Sequence, residues 1–313
     1  MPGDLFASTA AAWSARPSDP HDVFFAQVVE KGPARPDAPP AVALFGVPFD
    51  GAVLGRPGAR EGPDAIRHHM ARLKPWTLDG GAMDRTIYDF GNVRVPHGDV
   101  AAAHQATESA ALAILQGGHF PVALGGDHSL TFPLAKAHEG RVRKLGVINL
   151  DAHLDVRDVS GVPNSGTSFG RLLDLGLVPG PNLVEVGLRD FANADAYARK
   201  ARKAGATLFG AQEWIEDPRG VLLHAIEIAS RDAEGVYLSV DLDVLDQAEA
   251  PGVSAPTPGG VSSAQLNAAI RLIAQRAPLI GADFMEVAPP LDRDGTTSRA
   301  AAFAVMTLLG AMK

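Results

Sequence analysis

Short apolar segments recur along the chain from residue 41 onwards, and longer segments of mixed polarity separate them. Each apolar segment has four to six residues and is bounded by polar residues, glycine or proline, which is typical of buried strands. The pattern predicts eight strands, at residues 42–47, 87–90, 121–124, 145–150, 183–186, 206–209, 236–240 and 279–284.

Amphipathic segments with helical periodicity lie between most of these strands. They predict helices at residues 100–116, 192–204, 221–230 and 263–275, and a last helix at residues 298–312. Strands that alternate with helices are typical of a mainly parallel sheet with helices on both faces, so the predicted fold class is α/β. In such a sheet, ligands bind at the carboxyl ends of the strands.

The first 40 residues differ from the rest of the chain. They contain seven prolines and no sustained hydrophobic period, which predicts an extended arm, residues 1–40, lying on the body of the protein or on a neighbouring subunit. A length of 313 residues would allow two domains. Because no polar linker or internal repeat divides the remainder, residues 41–313 are predicted to form one domain.

Composition excludes several classes of protein. Apolar residues make up 46% of the chain and charged residues 20%, as in a packed globular protein. The net charge of −8 gives no general attraction to nucleic-acid phosphates or anionic lipids, so neither nucleic acid nor membrane is an expected partner. The absence of cysteine excludes a disulfide framework, a thiolate metal site and a cysteine nucleophile. With no signal-like start and no apolar run of about 20 residues, the expected location is the cytoplasm.

Three of the predicted strands end in acidic or imidazole side chains. The strand at 145–150 is followed by Asp-Ala-His-Leu-Asp, the strand at 236–240 by Asp-Leu-Asp, and the strand at 121–124 by Gly-Gly-Asp-His-Ser. If strand geometry continues past residue 150, alternate side chains share one face. The glycines let the backbone turn and come close to a bound group. Six candidate ligands result: His128, Asp151, His153, Asp155, Asp241 and Asp243.

These six side chains indicate a metal centre. A single aspartate after a strand is more often a helix cap, but that explanation does not cover three segments at once. Four neighbouring carboxylates cannot all stay ionised without cations, and two divalent ions would neutralise them. Oxygen and nitrogen ligands without sulfur favour Mn²⁺, with zinc, iron and cobalt open. Two ions sharing a water would lower its pKa towards neutrality. Asp127 is expected to orient a ligand histidine.

Other site classes have little support. The chain contains no Walker loop and no Gly-x-Gly-x-x-Gly after a strand, which disfavours a nucleotide site. It also lacks a Gly-x-Ser-x-Gly elbow, which disfavours a serine hydrolase.

The three polar segments resemble the signatures of the ureohydrolase family, which includes arginase, agmatinase and formimidoylglutamase. The matching residues are 125–129, 151–155 and 239–246. The resemblance implies a three-layer α/β/α fold with an eight-stranded parallel sheet, a dinuclear manganese centre, hydrolysis of an amidine or guanidine carbon, and a homotrimer or hexamer. It implies one ion on His128, Asp151, Asp155 and Asp241, and a second on Asp151, His153, Asp241 and Asp243.

The loop after the second signature favours one branch of the family. Arginase and most agmatinases have a histidine where this chain has Ser165, which disfavours arginase. Arg157 and the segments 58–67, 250–256, 286–289 and 292–299 are similar to formimidoylglutamase. The implied reaction converts N-formimidoyl-L-glutamate and water to L-glutamate and formamide, a step of histidine degradation. Because residues 46–50 are common among agmatinases, agmatinase or another urea-releasing guanidino-acid hydrolase stays open, as does a family member that binds metal without turnover.

The resemblance and the charge of the substrate assign the remaining roles. Glu286 is expected to pair with the cationic amidinium, with a helix cap as its alternative. Asp155 is expected to stabilise the reacting centre and to relay a proton, a task for which Ser165 is an alternative. The two carboxylates of the substrate call for guanidinium groups, and the matching loops offer candidate contacts that could instead form surface ion pairs. The candidate substrate-binding residues are Arg157, Arg60, Arg171 and Asn164.

Overall fold

A twisted parallel sheet forms the centre of the protein. The structure is a computed structural model that describes residues 4–15, 17, 19, 21–34, 38–158 and 161–312. Within these residues ten strands form one sheet: β1 (Phe6–Ala7), β2 (Glu30–Lys31), β3 (Val42–Gly46), β6 (Ile87–Val93), β7 (Phe120–Leu124), β8 (Leu145–Leu150), β9 (Leu183–Leu188), β10 (Thr207–Gly210), β11 (Gly235–Asp241) and β12 (Leu279–Met285). The strand order is β1-β6-β3-β7-β12-β11-β8-β9-β10, with β2 beside β6.

The eight predicted strands correspond to β3 and β6 to β12, which pair parallel throughout and make up most of this sheet. Strand β1 pairs antiparallel with β6, and β2 pairs parallel with it. A separate hairpin consists of β4 (Trp76–Thr77) and β5 (Gly81–Ala82). The predicted α/β class with a mainly parallel sheet is confirmed.

Helices cover both faces of the sheet. They are α1 (Phe25–Val28), α2 (Gly62–Met70), α3 (Val100–Gln116), α4 (Thr131–Lys136), α5 (Ser168–Asp174), α6 (Asp195–Ala204), α7 (Ala211–Glu216), α8 (Pro218–Ser230), α9 (Ser263–Arg276) and α10 (Thr296–Ala311). Alternate strand residues pack into two separate cores. Ile148 and Val240 face one core with α2, α8, α9 and α10, whereas Val147 and Tyr237 face the other with α3 to α6.

Helix boundaries differ from the predicted ones where local chemistry intervenes. Helix α8 begins at Pro218, three residues before its predicted start, because Asp217 accepts a hydrogen bond from Gly220 N and proline suits the first turn. Helix α6 begins at Asp195, three residues late, because residues 192–194 form part of a cavity wall. The short helices α2, α4, α5 and α7 were not predicted, since six to nine residues carry little periodic signal.

Residues of the predicted N-terminal arm donate hydrogen bonds to a buried ion pair of the body. Arg67 is fully buried and donates to both carboxylate oxygens of Asp89, at 2.8 and 3.0 Å. Asp89 also accepts from Trp13 Nε1 at 2.6 Å and from Thr9 Oγ1 at 2.8 Å. The arm is therefore anchored to α2 and β6; residues 1–3, 16, 18, 20 and 35–37 of the predicted arm lie outside the described residues.

None of the helices in the described part of the chain has the length and apolarity that a bilayer span requires.

Replacement of Asp89 by asparagine should destabilise the protein by about 3–5 kcal/mol at neutral pH, because it leaves a buried guanidinium without its counter-charge. Burial opposes ionisation of Asp89, but Arg67 outweighs it and lowers the carboxyl pKa. The contribution is therefore present above the unfolded pKa of about 3.9 and is lost as the pH falls through the lower folded value.

Urea unfolding of Asp89→Asn measures this difference. The control is Asp22→Asn, which removes an exposed ion pair to Lys74 and should change stability by less than about 0.5 kcal/mol. Equal stability of the two variants at pH 7 would contradict the role given to Asp89.

Candidate metal centre

Three carboxylates surround one ring nitrogen of His128. Its Nδ1 lies 3.1 Å from Asp151 Oδ2, 3.0 Å from Asp155 Oδ2 and 3.2 Å from Asp241 Oδ2. These residues come from the loops after β7 and β8 and from the last position of β11. The carboxyl ends of three parallel strands therefore meet at one point, as the sequence predicted.

A second group of ligand atoms shares Asp151 with the first. His153 Nδ1 lies 2.9 Å from Asp243 Oδ2 and 3.5 Å from Asp151 Oδ1. Ligand atoms of Asp151, His153 and Asp243 all fall within 4.8 Å of one another, and the same holds for His128, Asp151 and Asp155. The structure thus brings all six predicted ligands together, with Asp151 common to both groups.

The local backbone differs from the predicted continuation of the strands. Strand β8 ends at Leu150, and Asp155 has a φ of 46°, in the left-handed region. Asp243 lies in a short 3-10 helix, residues 242–244, that Asp241 caps by accepting from Asp243 N at 2.8 Å. The candidate ligands therefore converge through loops with tight turns. Strands that continued extended would carry these side chains beyond the edge of the sheet and away from one another.

Close packing requires glycine at both positions before Asp127. A Cβ at Gly126 would lie 1.7 Å from the carbonyl oxygen of Phe49, and one at Gly125 would lie 1.8 Å from Met285 Sδ. The expectation that these glycines also let the backbone come close to a bound group stays a prediction.

The donor atoms fit divalent cations. His128 Nδ1 is buried and makes no hydrogen bond, although three carboxylate oxygens surround it. Two ligands held about 2.1 Å from one ion at about a right angle are about 3 Å apart, which matches these separations. Imidazole and carboxylate without sulfur are ligands that Mn²⁺ accepts.

The electrostatics of the cluster also call for cations. Burial, and then the charges of Asp243 and Asp151, raise the pKa of Asp241 well above its usual value. Burial lowers the pKa of His153, but the facing Asp243 and Asp151 carboxylates outweigh it and raise that pKa to about 12. Without metal the cluster would therefore hold protons, which divalent cations must displace.

Behind His128 lies a chain of hydrogen bonds that the sequence analysis missed. His128 Nε2 lies 2.9 Å from Ser239 Oγ, which donates to Asp283 Oδ1 at 2.7 Å. Asp283 also accepts from Thr131 and Tyr237 at 2.9 and 3.0 Å. This chain orients the imidazole ring. Its signal in the sequence is a polar residue two positions before Asp241 in an otherwise apolar strand.

Asp127 does not orient a ligand histidine as expected. Its carboxylate accepts from Ala52 N at 2.9 Å and from Ser129 N at 3.0 Å, so it connects two loops. Burial raises its pKa to about 6. Ser239 has the role that was expected of Asp127, since it contacts the ring of His128.

Glu286 follows β12 and enters the same site. Its φ of 69° is in the left-handed region, which is unusual for a glutamate and indicates a conformation imposed by the surrounding packing. Oε1 accepts from His128 N at 2.8 Å, whereas Oε2 is buried without a hydrogen bond. Burial, and then the charge of Asp127, raise the pKa of Glu286 to about 8.

A cavity of about 220 Å³ opens onto the ligand cluster. Glu286, Asp155 and Ser165 line it, so the three predicted catalytic residues share one space. Ser165 Oγ accepts from Leu54 N at 3.1 Å.

Of the three candidate arginines, Arg157 lines this cavity. Its guanidinium carbon lies 5.5 Å from the ring centre of Tyr197, and its stem crosses Gly166, where a Cβ would lie 2.6 Å from Arg157 Cδ. Arg157 forms no ion pair with any residue that the structure describes. It therefore presents an unpaired positive charge beside the ligand cluster.

The other three predicted substrate contacts are not part of the cavity wall. Arg60 pairs with the buried Asp50, its Nε 2.5 Å from Oδ1. Arg171 stacks on Phe132 at 3.5 Å and contacts His104, within the packing of α3, α4 and α5. Asn164 accepts from Gly166 N at 3.1 Å and caps a short 3-10 helix at residues 165–167. Each of the three side chains is held by these contacts outside the cavity.

Comparison with known sequences agrees with the motifs. The family model described as the arginase family matches residues 40–310. A formimidoylglutamase from Halobacterium salinarum is 41% identical over 300 residues, which cover 94% of this chain and 95% of the relative. A guanidinopropionase from Pseudomonas aeruginosa is 33% identical, with 86% and 85% covered.

Solved structures give the same result. The crystal structure of formimidoylglutamase from Bacillus subtilis superposes with a TM-score of 0.88 at 29% identity, covering 95% of this chain and 94% of that one. The structure of Trypanosoma cruzi formiminoglutamase with Mn²⁺ has a TM-score of 0.79 at 25% identity, with 97% of each chain covered.

Replacement of Asp151 by alanine should remove most of the divalent metal that the protein binds, because both ligand groups lose the carboxylate they share. Elemental analysis after incubation with Mn²⁺ and gel filtration measures this content. Asp158→Ala, which removes an exposed carboxylate paired with Lys200, should keep full loading. Retention of the metal by a folded Asp151→Ala variant would show that the six side chains are not the ligands.

Proposed function

Because the chain belongs to the arginase family, we propose that it hydrolyses N-formimidoyl-L-glutamate to L-glutamate and formamide. The observation that carries the choice of substrate is the unpaired guanidinium of Arg157 in the wall of the metal-site cavity. The relatives and solved structures named formimidoylglutamase support the same reaction.

Two Mn²⁺ ions are proposed as the cofactor. His128, Asp151, Asp155 and Asp241 would hold one, and Asp151, His153, Asp241 and Asp243 the other. When bound, such a pair supplies a water molecule that is nucleophilic at neutral pH. The solved structure of a relative with Mn²⁺ supports the choice of metal.

The residues of the cavity wall orient the substrate. Glu286 Oε2, buried and without a hydrogen bond, is placed to accept N–H groups of the cationic amidinium and to hold its planar carbon towards the metal ligands. Water adds to that carbon, and the bond to the glutamate nitrogen breaks. The nitrogen leaves as an amine after it takes one proton, for which Asp155 is the proposed relay and Ser165 the alternative.

Arg157 distinguishes the candidate substrates by charge. Formimidoylglutamate carries one carboxylate on the carbon that bears the amidine nitrogen and a second at the far end of its side chain, and a guanidinium can bind a carboxylate through two parallel hydrogen bonds. Agmatine ends in an ammonium group, which the positive charge of Arg157 would repel. The single arginine in the cavity wall therefore favours an acidic substrate over agmatine and disfavours the agmatinase alternative.

A guanidino acid is the second candidate. Guanidinopropionate and guanidinobutyrate also end in a carboxylate that Arg157 could bind, and one sequence relative is a guanidinopropionase. Their hydrolysis would release urea and not formamide.

Assays of the Mn²⁺-loaded protein for both products test the proposal. We expect formamide from formimidoylglutamate, little or no urea from arginine or agmatine, and complete loss of turnover after chelation. Urea from guanidinobutyrate or guanidinopropionate without formamide would establish the second candidate. Metal binding with no turnover on any of these substrates would indicate a non-catalytic member of the family.

Removal of the Arg157 charge should weaken substrate binding more than turnover. Arg157→Leu is expected to raise KM for formimidoylglutamate by about 10- to 100-fold, the range for loss of a hydrogen bond to a charged group, and to leave the metal content unchanged. Gly166→Ala should act in the same direction with a smaller effect, because its Cβ displaces the Arg157 stem.

Steady-state kinetics of both variants measure the effect, with Arg199→Leu as the control. Arg199 is an exposed arginine on α6 that pairs with Asp195. An unchanged KM in Arg157→Leu would mean that another group binds the carboxylates.

We propose in addition that the enzyme is a cytoplasmic homo-oligomer. Three exposed apolar side chains around the β4–β5 hairpin and α10 support an interface: Trp76, Leu78 and Phe303. Sedimentation of the purified protein distinguishes a trimer or hexamer from a monomer.

A further inference from the structure

Two polar side chains in the strands next to the metal centre have no role so far. Asn149 in β8 and Glu185 in β9 are fully buried and lie opposite each other in the parallel ladder. Their neighbours Ile148 and Val184 face the other side of the sheet and belong to its apolar core. Because burial of a carboxyl group in a sheet is costly unless it is hydrogen-bonded, Glu185 requires an explanation.

The amide of Asn149 connects Glu185 to the shared metal ligand. Asn149 Nδ2 donates to Glu185 Oε2 at 2.7 Å and to Asp151 Oδ2 at 3.2 Å. Asp151 Oδ2 is the oxygen that lies 3.1 Å from His128 Nδ1. The other oxygen, Oδ1, accepts from His153 N at 2.6 Å. Both oxygens of Asp151 are therefore held, one by backbone and one by the Asn149 amide.

The amide has two orientations of similar shape and opposite polarity. With its NH₂ towards Asp151 it donates to the carboxylate, whereas with its carbonyl there it would repel it. Glu185 Oε2 accepts the second N–H of the same NH₂ group, so it stabilises the donating orientation. An apolar residue at position 185 would leave that N–H without a partner in a dry interior.

We infer that Glu185 is a positioning residue, which acts through Asn149 to fix the Asp151 carboxylate between the two groups of metal ligands. This inference rests on the proposed metal-dependent function. Strand β9 would thereby support the metal centre through Glu185, although none of the six candidate ligands lies in β9. Together with Ser239 and Asp283, the pair forms a polar layer under the ligands, with one branch orienting His128 and the other orienting Asp151.

The charge state of Glu185 fits this role. Burial, opposed by the hydrogen bond from Asn149 and reinforced by Asp151 and Asp155, raises the pKa of Glu185 well above its usual value. The raised pKa favours the neutral carboxyl group, which accepts the amide N–H without adding a fifth negative charge to the four carboxylates.

The experiment is a Mn²⁺ titration of the metal-free full chain by calorimetry, with Glu185→Leu compared with Glu185→Gln. The leucine variant should bind Mn²⁺ about 10- to 100-fold more weakly, the range for loss of a group that orients a ligand. The glutamine variant should stay within about threefold of the wild type, because its carbonyl can accept the same N–H. Val184→Ala, in the same strand but on the opposite face, should lower thermal stability and leave the affinity unchanged.

The Mn²⁺ affinity of the variants shows whether Glu185 positions Asp151. A folded Glu185→Leu variant with unchanged Mn²⁺ affinity would overturn it, as would equal losses in the leucine and glutamine variants. If Glu185→Leu does not fold, Asn149→Ala replaces it, with the same expected loss and the same contradiction if affinity is unchanged. A wild-type protein that binds no Mn²⁺ would instead refute the proposed function, and the inference with it.

Discussion

Four carboxylates held within a few ångströms of one another, largely out of water, are the constraint on which the arrangement of this protein depends. Only two imidazoles accompany Asp151, Asp155, Asp241 and Asp243 in the ligand cluster. Such a cluster is stable with divalent cations or with protons, since like charges at this distance otherwise repel strongly. The surrounding structure therefore has to hold negative charge in place while leaving its lone pairs free.

The parallel sheet meets this requirement by using its two faces differently. One face of β8, β9, β11 and β12 is apolar towards the end of each strand, whereas the other carries Asn149, Glu185, Ser239 and Asp283. Because side chains alternate along a strand, the polar set lies directly below the ligands without interrupting the opposite core. Hydrogen bonds among these groups offset part of the cost of burying them, although Asn149 Oδ1 and Glu185 Oε1 have no partner among the described residues. The bonds restrict the candidate ligands to one orientation.

The sequence predicted the parts of this design that follow from periodicity and motif. The eight strands are visible as apolar segments, and the six candidate ligands are visible as Asp and His residues that follow three of them. The exits from those strands were not predictable: Asp155 and Glu286 have left-handed backbones that only tertiary packing imposes. The partners of the candidate arginines could not be predicted either, because the sequence does not distinguish the surroundings of Arg60, Arg157 and Arg171. Asp50, ten residues before Arg60, and Phe132, on a different helix from Arg171, engage two of these arginines. Arg157 has no ion-pair partner among the described residues.

The N-terminal residues cover one edge of the sheet. Strands β1 and β2 both pair with β6, at Asn92–Val93 and at Tyr88–Asp89, and so occupy amide and carbonyl groups that would otherwise face solvent. An uncovered edge of this kind is a template for pairing with another chain. A protein shortened at its N-terminus would keep all six candidate metal ligands, yet it would expose this edge and become prone to self-association and precipitation.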